Sequence, residues 1–388
     1  MNAVPAPAVR LRSIDFLRGI AALAVAFGHA LTAAPYGFAG PIFEQICLHV
    51  MWIAVSGIPL FFVVSGFCIH LGQARHGGTF KFVDFWRRRL WRLYPTYFVV
   101  LVGSIGLLVA MWAAGVGEPM LDRYPEPRLA WIGADFIFHA LMLHGLYPLF
   151  DQGAGNPSLW TLAREEYLYL MYPLLLFLRA RMAWYTLAVL LGVVSVILQY
   201  VLTRSVTHPE TWWLLVYSAP ALWIQWHLGV VAADAYRGEI KLPVFWTQAR
   251  WIPMWMLLGY LTNPGTIFLG LAFFTAVNAC ARREVDGRWP ASGIVGTVSR
   301  VGLWSYSLYL IHFPVQTVAL ALSRLVVRDV GVPGFVLRAV LLTAVSCIAG
   351  RVLFALVERH FVTLPRRTGN QPLVAVTDMP PAAIPGAR

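Results

Sequence analysis

The sequence predicts an all-α, polytopic transmembrane bundle of about ten spans, plus one segment that is re-entrant or interfacial. Three observations lead there. Of the 388 residues, 59% are hydrophobic and only 12% are charged, whereas soluble domains carry about 25% charged residues. Apolar runs of about 18 residues or more, the length a spanning helix needs, recur from one end of the chain to the other. Tryptophan, tyrosine and phenylalanine make up 14% of the chain, an aromatic load that membrane–water interfaces collect.

The formal net charge of +12 would suggest nucleic-acid binding in a soluble domain. In a membrane chain, basic residues instead mark cytoplasmic loops. Cys47, Cys68, Cys280 and Cys347 show neither CxxC nor metal-ligand spacing, so no disulfide framework and no metal site are expected.

Candidate spans lie near 14–34, 51–71, 94–114, 130–148, 164–180, 184–203, 212–236, 250–262, 264–281, 301–324 and 333–358. Charge decides which of them cross. With Arg10 and Arg12 in the cytoplasm, the basic stretch "ARHGGTFKFVDFWRRRLWR" also falls inside. If 130–148 crossed, Arg179 and Arg181 would lie outside and every later loop would invert. If it does not cross, they lie inside, together with Arg237, Lys241, Arg250, Arg282, Arg283, Arg288, Arg300, Arg359, Arg366 and Arg367. The positive-inside rule favours the second topology, with both termini cytoplasmic. "WIGADFIFHALMLHGLYPLF" then becomes the re-entrant or interfacial piece on the outer side, a geometry tolerated against protein or a wet cavity. Residues 250–262 are short for a span. The chain divides into a cytoplasmic segment 1–13, a membrane domain 14–362 and a cytoplasmic tail 363–388, whose Pro- and Ala-rich composition predicts disorder. The opening resembles a signal peptide, but the apolar run is long and charged, with Pro35 after the small-residue site, so retention is expected.

The polar residues within these segments come next, in chain order. "IDFLRGIAALAVAFGHA" carries Arg18 and His29, eleven residues apart, which places them on one helix face and about 16 Å apart along the axis. A lone arginine at a helix end is a snorkelling anchor, and a lone histidine bonds to a neighbouring helix. Two ionisable groups on one intramembrane face are a candidate functional pair. "FFVVSGFCI" holds Ser65-Gly66, a small-small step that suits helix packing or close approach of a thin ligand. "WRRRLWRLYPTY" gathers Arg87, Arg88, Arg89 and Arg92 at the cytoplasmic mouth of a span. These match phosphate oxygens, although an anchor to lipid headgroups would use the same charges.

"LWTLAREEYLYLMYPLL" puts Glu165 and Glu166 at the outer end of a span, where only one of them easily faces the interior. Such a carboxylate either pairs with Arg164 or orients a histidine or a substrate hydroxyl. "SYSLYLIHFPV" places His312 mid-span beside Pro314, where a kink frees carbonyls that neighbours must satisfy. "LVERHFVTLPRR" ends the last span with Glu358, within reach of a nearby arginine. No repeat of fixed period is present.

In this order the segments resemble the acyltransferase 3 family of bacterial integral-membrane O-acyltransferases, over about residues 12 to 362. The resemblance rests on the Arg-x10-His of Arg18 and His29, "FFVVSGF", "RRLWRLYPTY", "LWTLAREEYLY" and "SYSLYLIHFPV". It implies about ten helices in a bacterial inner membrane and transfer of an acyl group, usually acetyl, from cytoplasmic acyl-CoA to a hydroxyl of an extracytoplasmic glycan or glycolipid. It implies that Arg18 and His29 are the essential pair, that Arg88, Arg89 and Arg92 serve the acyl-CoA side, and that Trp160 and Glu165 are a characteristic feature. Thr161 stands where serine is frequent, and Arg164 where an apolar residue is usual. No hydrolase-like domain is expected, so acceptor choice rests with the helical core and its outer loops.

The expected mechanism docks acyl-CoA at Arg87, Arg88, Arg89 and Arg92, with Arg18 at the mouth and Ser65 and Gly66 flooring the groove. His29 is the general base, and Glu165 fixes its tautomer. Trp160, Glu166, Tyr169 and His312 support the site or contact the acceptor. The rival class is a transporter or flippase of a lipid-linked sugar, which also needs intramembrane polar groups but not a phosphate-matched arginine cluster.

Overall fold

A computed structural model describes residues 10–31, 41–74, 80–115, 118–262, 266–326 and 331–362. The expected tail 363–388 lies outside the described residues, as does most of the N-terminal segment. Among the described residues every regular element is helical. In chain order these are α1 (Arg12–Leu31), α2 (Pro41–Val55), α3 (Gly57–Ala74), α4 (Phe82–Ala113), α5 (Glu118–Leu121), α6 (Arg128–Ala140), α7 (Trp160–Arg179) and α8 (Trp184–Val196). There follow α9 (Pro209–Val216), α10 (Ala219–Tyr236), α11 (Ile252–Leu261), α12 (Thr266–Val285), α13 (Gly293–Gly302), α14 (Ser305–Val326) and α15 (Gly331–Leu356), with short 3₁₀ turns between some of them.

Helix α1 is the central strut. It packs against α2, α3, α12, α13, α14 and α15. Its first turn is capped from far away: the Glu284 carboxylate accepts from the Arg12 and Ser13 amides, each at 2.8 Å, and from the Ser13 hydroxyl at 2.5 Å. An anion there satisfies orphan helix donors and suits the positive end of the dipole. The cap also ties the start of α1 to the end of α12, so Arg282 and Arg283 share an end of the bundle with Arg12.

Helices α3 and α10 pack backbone to backbone, and glycine makes it possible. A Cβ on Gly66 would lie 2.1 Å from the Trp226 carbonyl oxygen, and one on Gly229 would lie 2.0 Å from that of Val63. Backbones this close need small residues on both sides.

Six helical stretches among the described residues are long and apolar enough to cross a membrane: Arg12–Leu31, Ile42–Ala74, Phe82–Ala113, Trp184–Arg204, Thr211–Tyr236 and Gly331–His360. This is fewer than the expected ten. Three further helices, α7, α12 and α14, run 20, 20 and 22 residues but carry polar side chains that face protein. In α14, Ser305, Ser307, His312 and Gln316 are all buried. Helix α11 has only 10 residues, short of the bilayer thickness.

Some boundaries also move. The expected span at 51–71 is the end of a longer run, α2 and α3, broken at Ser56. The arginines before Pro95 are helical, because α4 starts at Phe82. Segment 130–148 is not one helix. Helix α6 starts beside the far end of α4, where Ile132 clusters with Leu108, Leu121 and Tyr124. It stops near the middle of α4, where the Tyr94 and Tyr97 hydroxyls donate to the Ala140 and His139 carbonyls at 2.8 and 2.9 Å. The chain then turns back, so that Gly155 lies against the Ser104 carbonyl. The stretch thus enters and leaves on one side of α4's midpoint.

Candidate functional site

Five helices, α1, α3, α4, α7 and α14, surround a cavity of about 170 Å³. Its wall contains six of the expected site residues: Arg18, Ser65, Arg89, Arg92, Glu165 and Tyr169. Helical periodicity explains the choice on each strand of the wall. Phe61, Ser65, Cys68 and Ile69 recur at helix spacing on α3, as do Thr161, Leu162, Glu165 and Tyr169 on α7.

Arg18, Arg89 and Arg92 are partly buried and form no hydrogen bond or ion pair among the described residues. Arg89 lies over the Phe85 ring at 5.6 Å. On the opposite wall, the Ser65 hydroxyl donates to the Glu165 carboxylate at 2.7 Å. The Tyr169 hydroxyl donates to the same oxygen. The Trp226 indole approaches the Ser65 oxygen at 3.4 Å. Phe61 and Tyr309 close one end with ring centroids 5.3 Å apart, and the Thr161 hydroxyl holds that of Tyr309 at 2.8 Å. The cavity is therefore cationic on the α1–α4 side, carries one carboxylate on the α7 side, and is aromatic at the Tyr309 end.

The remaining expected residues sit elsewhere. Arg87 is exposed and 3.8 Å from Asp84 on its own helix, and Arg88 is not on the cavity wall. Gly66 faces α10, where it serves packing. Glu166 is buried and accepts from the Trp86 indole, so Glu165 is the acid of the pair that faces the cavity. Trp160 packs on Trp213 and Tyr217, at 5.6 and 5.2 Å between ring centroids.

His29 lies beyond the cavity wall, its ring 5.1 Å from that of His312 and 5.6 Å from that of Phe313. His312 is 5.7 Å from Tyr309, so the two imidazoles stand behind the aromatic end of the cavity. Glu165 bonds to Ser65 and Tyr169, and His312 is the ionisable neighbour of His29 whose position is described. Pro314 removes the amide that would bond to the Leu310 carbonyl. The Asn156 side chain takes that carbonyl at 2.9 Å. Glu358 accepts from the Ser307 amide and hydroxyl, at 3.1 and 2.5 Å, within the field of Arg18 and Arg92.

Sequence reading missed several groups. Cys68, Tyr306 and Tyr309 line the cavity, and their signal was spacing: Cys68 follows Ser65 by three residues, and the two tyrosines are also three apart. It also missed the polar interior of the turned-back segment. Arg164 is buried and pairs with Asp151 at 2.7 Å, its Nε donating to the Tyr217 carbonyl at 2.9 Å. Burial pushes the Asp151 carboxyl up from its ordinary value, and Arg164 opposes that shift. The Asp135 carboxylate accepts from the Tyr124 hydroxyl and from the Ala154 amide at 2.6 Å, and lies 2.7 Å from His139. The His139 ring stacks on that of His144 at 3.8 Å.

The chain is similar to proteins named as acyltransferases. The acyltransferase MdmB of Streptomyces mycarofaciens is 25% identical over 339 residues, covering 80% of each chain. YrhL of Bacillus subtilis (strain 168), provisionally named a peptidoglycan O-acetyltransferase, is 25% identical over 347 residues. That match covers 80% of this chain and 50% of YrhL. The peptidoglycan O-acetyltransferase OatA of Listeria monocytogenes serovar 1/2a is 28% identical over 182 residues, 43% of this chain and 24% of OatA. No solved structure matches. The family model described as Acyltransferase domain, Acyl_transf_3, matches residues 11–353, from the capped start of α1 to the body of α15 and across every wall of the cavity, and the chain belongs to that family.

Proposed function

We propose that this protein is an integral-membrane O-acyltransferase. It moves an acyl group, acetyl in the simplest case, from cytoplasmic acyl-CoA to a hydroxyl of an extracytoplasmic glycan or glycolipid. The observation that carries the proposal is the placement of Arg18, Arg89 and Arg92 around one cavity with no hydrogen bond or ion pair to a carboxylate among the described residues. Three guanidinium groups on one partly buried wall outnumber the nearby carboxylates Glu165 and Glu358 and favour an anion, and arginine forks match phosphate oxygens in pairs. In this reading the diphosphate of acyl-CoA meets these arginines at the cytoplasmic end. The pantetheine arm runs along the wall formed by Ser65, Glu165 and Tyr169 towards Tyr309, and a short acyl group suits the cavity's small volume. The acceptor comes from the opposite side, beside the turned-back segment around α6.

The chemistry follows from the side chains. A neutral imidazole at His29 takes the proton of the acceptor hydroxyl as the oxygen attacks the thioester carbonyl. The carbon–sulfur bond breaks, and the same proton goes to the departing thiolate. Glu165, held by Ser65 and Tyr169, is a second ionisable group on the donor path. Support for an acyl-transfer reading comes from the family and from relatives named as acyltransferases.

The test is deletion of the gene followed by mass analysis of the cell's surface glycans, with complementation by the intact gene and by His29→Ala. The expected result is loss of one acyl mass from a glycan, restored only by the intact gene. An unchanged glycan profile overturns the function. Full restoration by a folded His29→Ala protein overturns the role of the histidine.

A further inference from the structure

His312 is fully buried, and the direction of its hydrogen bonding follows from elementary chemistry. Its Nδ1 lies 2.7 Å from the Tyr309 carbonyl oxygen. A carbonyl only accepts, so Nδ1 carries the hydrogen. In the neutral ring Nε2 is then a bare lone pair. Among the described residues that Nε2 has no hydrogen-bond partner. A buried acceptor left empty is unfavourable and rare in native structures, so a donor is expected to meet it.

The ring beside it is His29. The centroids are 5.1 Å apart and the planes are inclined at 59°. Two imidazoles joined nitrogen to nitrogen have centroids about 5 Å apart, given an N···N distance of about 2.9 Å. The spacing is thus already that of an imidazole pair, and His29 is the ring whose N–H lies nearest in reach of that Nε2 among the described residues. The backbone on both sides is fixed. Gln316 of α14 donates to the Ala26 carbonyl of α1 at 2.8 Å, and Asn156 holds the Leu310 carbonyl. Among the described residues, His29 and Tyr309 are the titratable groups whose rings contact His312.

We propose that His312 is the positioning partner of His29: its Nε2 accepts the N–H of His29, sets that ring's tautomer, and shares the proton that His29 takes from the acceptor. This rests on the acyl-transfer reading above. A His–His pair replaces the carboxylate–imidazole pair of a Ser/His/Asp constellation. Its advantage in a low-dielectric interior is that the resting pair is neutral and needs no buried anion. During transfer the acceptor O–H bond breaks and its proton rests on His29, with the positive charge spread onto His312. The oxygen–acyl bond forms, the carbon–sulfur bond breaks, and the proton passes to the thiolate.

The test measures acetyl transfer by the full-length protein in lipid vesicles, with acetyl-CoA and surface glycan as substrates, for the intact protein, His312→Phe and His312→Gln. The glutamine amide oxygen accepts a hydrogen bond but does not share a proton at these pH values. The expectation is a fall in kcat of about 100-fold for His312→Phe, with partial recovery in His312→Gln. The KM for acetyl-CoA stays within about twofold of the intact value in both, and the acidic limb of the kcat profile moves in His312→Gln. Should His312→Phe fail to fold, His312→Gln decides alone: reduced kcat with a moved limb supports the pair. A kcat and pH limb unchanged from the intact protein overturn it and leave acyl transfer standing. Absence of acetyl transfer by the intact protein overturns the acyl-CoA reading and this inference with it.

Discussion

Ser65 of α3 and Glu165 of α7, one hundred residues apart in the chain, share a 2.7 Å hydrogen bond on the wall of the arginine-lined cavity. Tyr169, one turn further along α7, donates to the same carboxylate oxygen. A carboxylate fixed by two hydroxyls in a partly buried wall is a preorganised charge. Replacement by an isosteric amide keeps the shape and removes the charge. Glu165→Gln is expected to lower kcat for acetyl transfer by about 100-fold while the protein retains its fold. Steady-state kinetics beside a thermal unfolding curve checks this. A kcat equal to the intact enzyme's would remove Glu165 from the mechanism.

The arginines of "WRRRLWR" divide by face. Arg89 and Arg92 line the cavity with Arg18, whereas Arg87 is exposed beside Asp84. Charge-assisted hydrogen bonds contribute about 1.5–3 kcal/mol each, or about 10- to 100-fold in affinity. Arg89→Gln, Arg92→Gln and Arg18→Gln are each expected to weaken CoA binding within that range. Arg87→Gln is expected to change it by less than about twofold, since exposed charges contribute little. Isothermal titration with CoA is the measurement. Equal effects at Arg87 and Arg92 would point to general surface charge.

Cys68 lies one helical turn from Ser65 on the same wall, while Cys47, Cys280 and Cys347 are not on it. A thiol-reactive maleimide small enough to enter should label Cys68, and saturating CoA should slow that labelling. A variant with the other three cysteines replaced isolates the signal, read by mass spectrometry. Labelling that is indifferent to CoA would show that the cavity is not where CoA sits.

Much of this wall could be read from residue types at helical spacing, and the reason it was readable also marks the limit. Ser65 and Gly66 are neighbours in sequence, as are Glu165 and Glu166, yet one helical step turns a side chain by about 100°. That step sends Gly66 into α10 and Glu166 to Trp86. Which member of such a pair faces a cavity depends on partners far along the chain. The same holds for hydropathy. Helix α14 was placed from its apolar residues, but its buried Ser305, Ser307, His312 and Gln316 lower the mean hydropathy of a helix whose polar face turns to protein. Asp151 stood in an irregular stretch with no period to follow, so its pairing with Arg164 had no signature. The unusual arginine in "LAREEYL" was the one visible trace.

That ion pair yields the last prediction. The Arg164 and Asp151 side chains are 1% and 2% exposed, and Arg164 also holds the Tyr217 carbonyl and lies 5.7 Å from the Trp160 ring. Removing one partner of a buried pair leaves the other uncompensated and costs about 3–5 kcal/mol, whereas replacing both with apolar residues of similar volume is often nearly neutral. Arg164→Met should therefore destabilise the protein strongly, and adding Asp151→Leu should restore more than half of the loss, as read by thermal unfolding in detergent. Because the pair ties the turned-back segment to α7, Arg164→Met should also loosen residues 141–157, which hydrogen exchange would report as faster amide exchange there than in α10. A single variant as stable as the intact protein would mean that the segment is anchored by the Asp135, Tyr124 and Ala154 bonds alone.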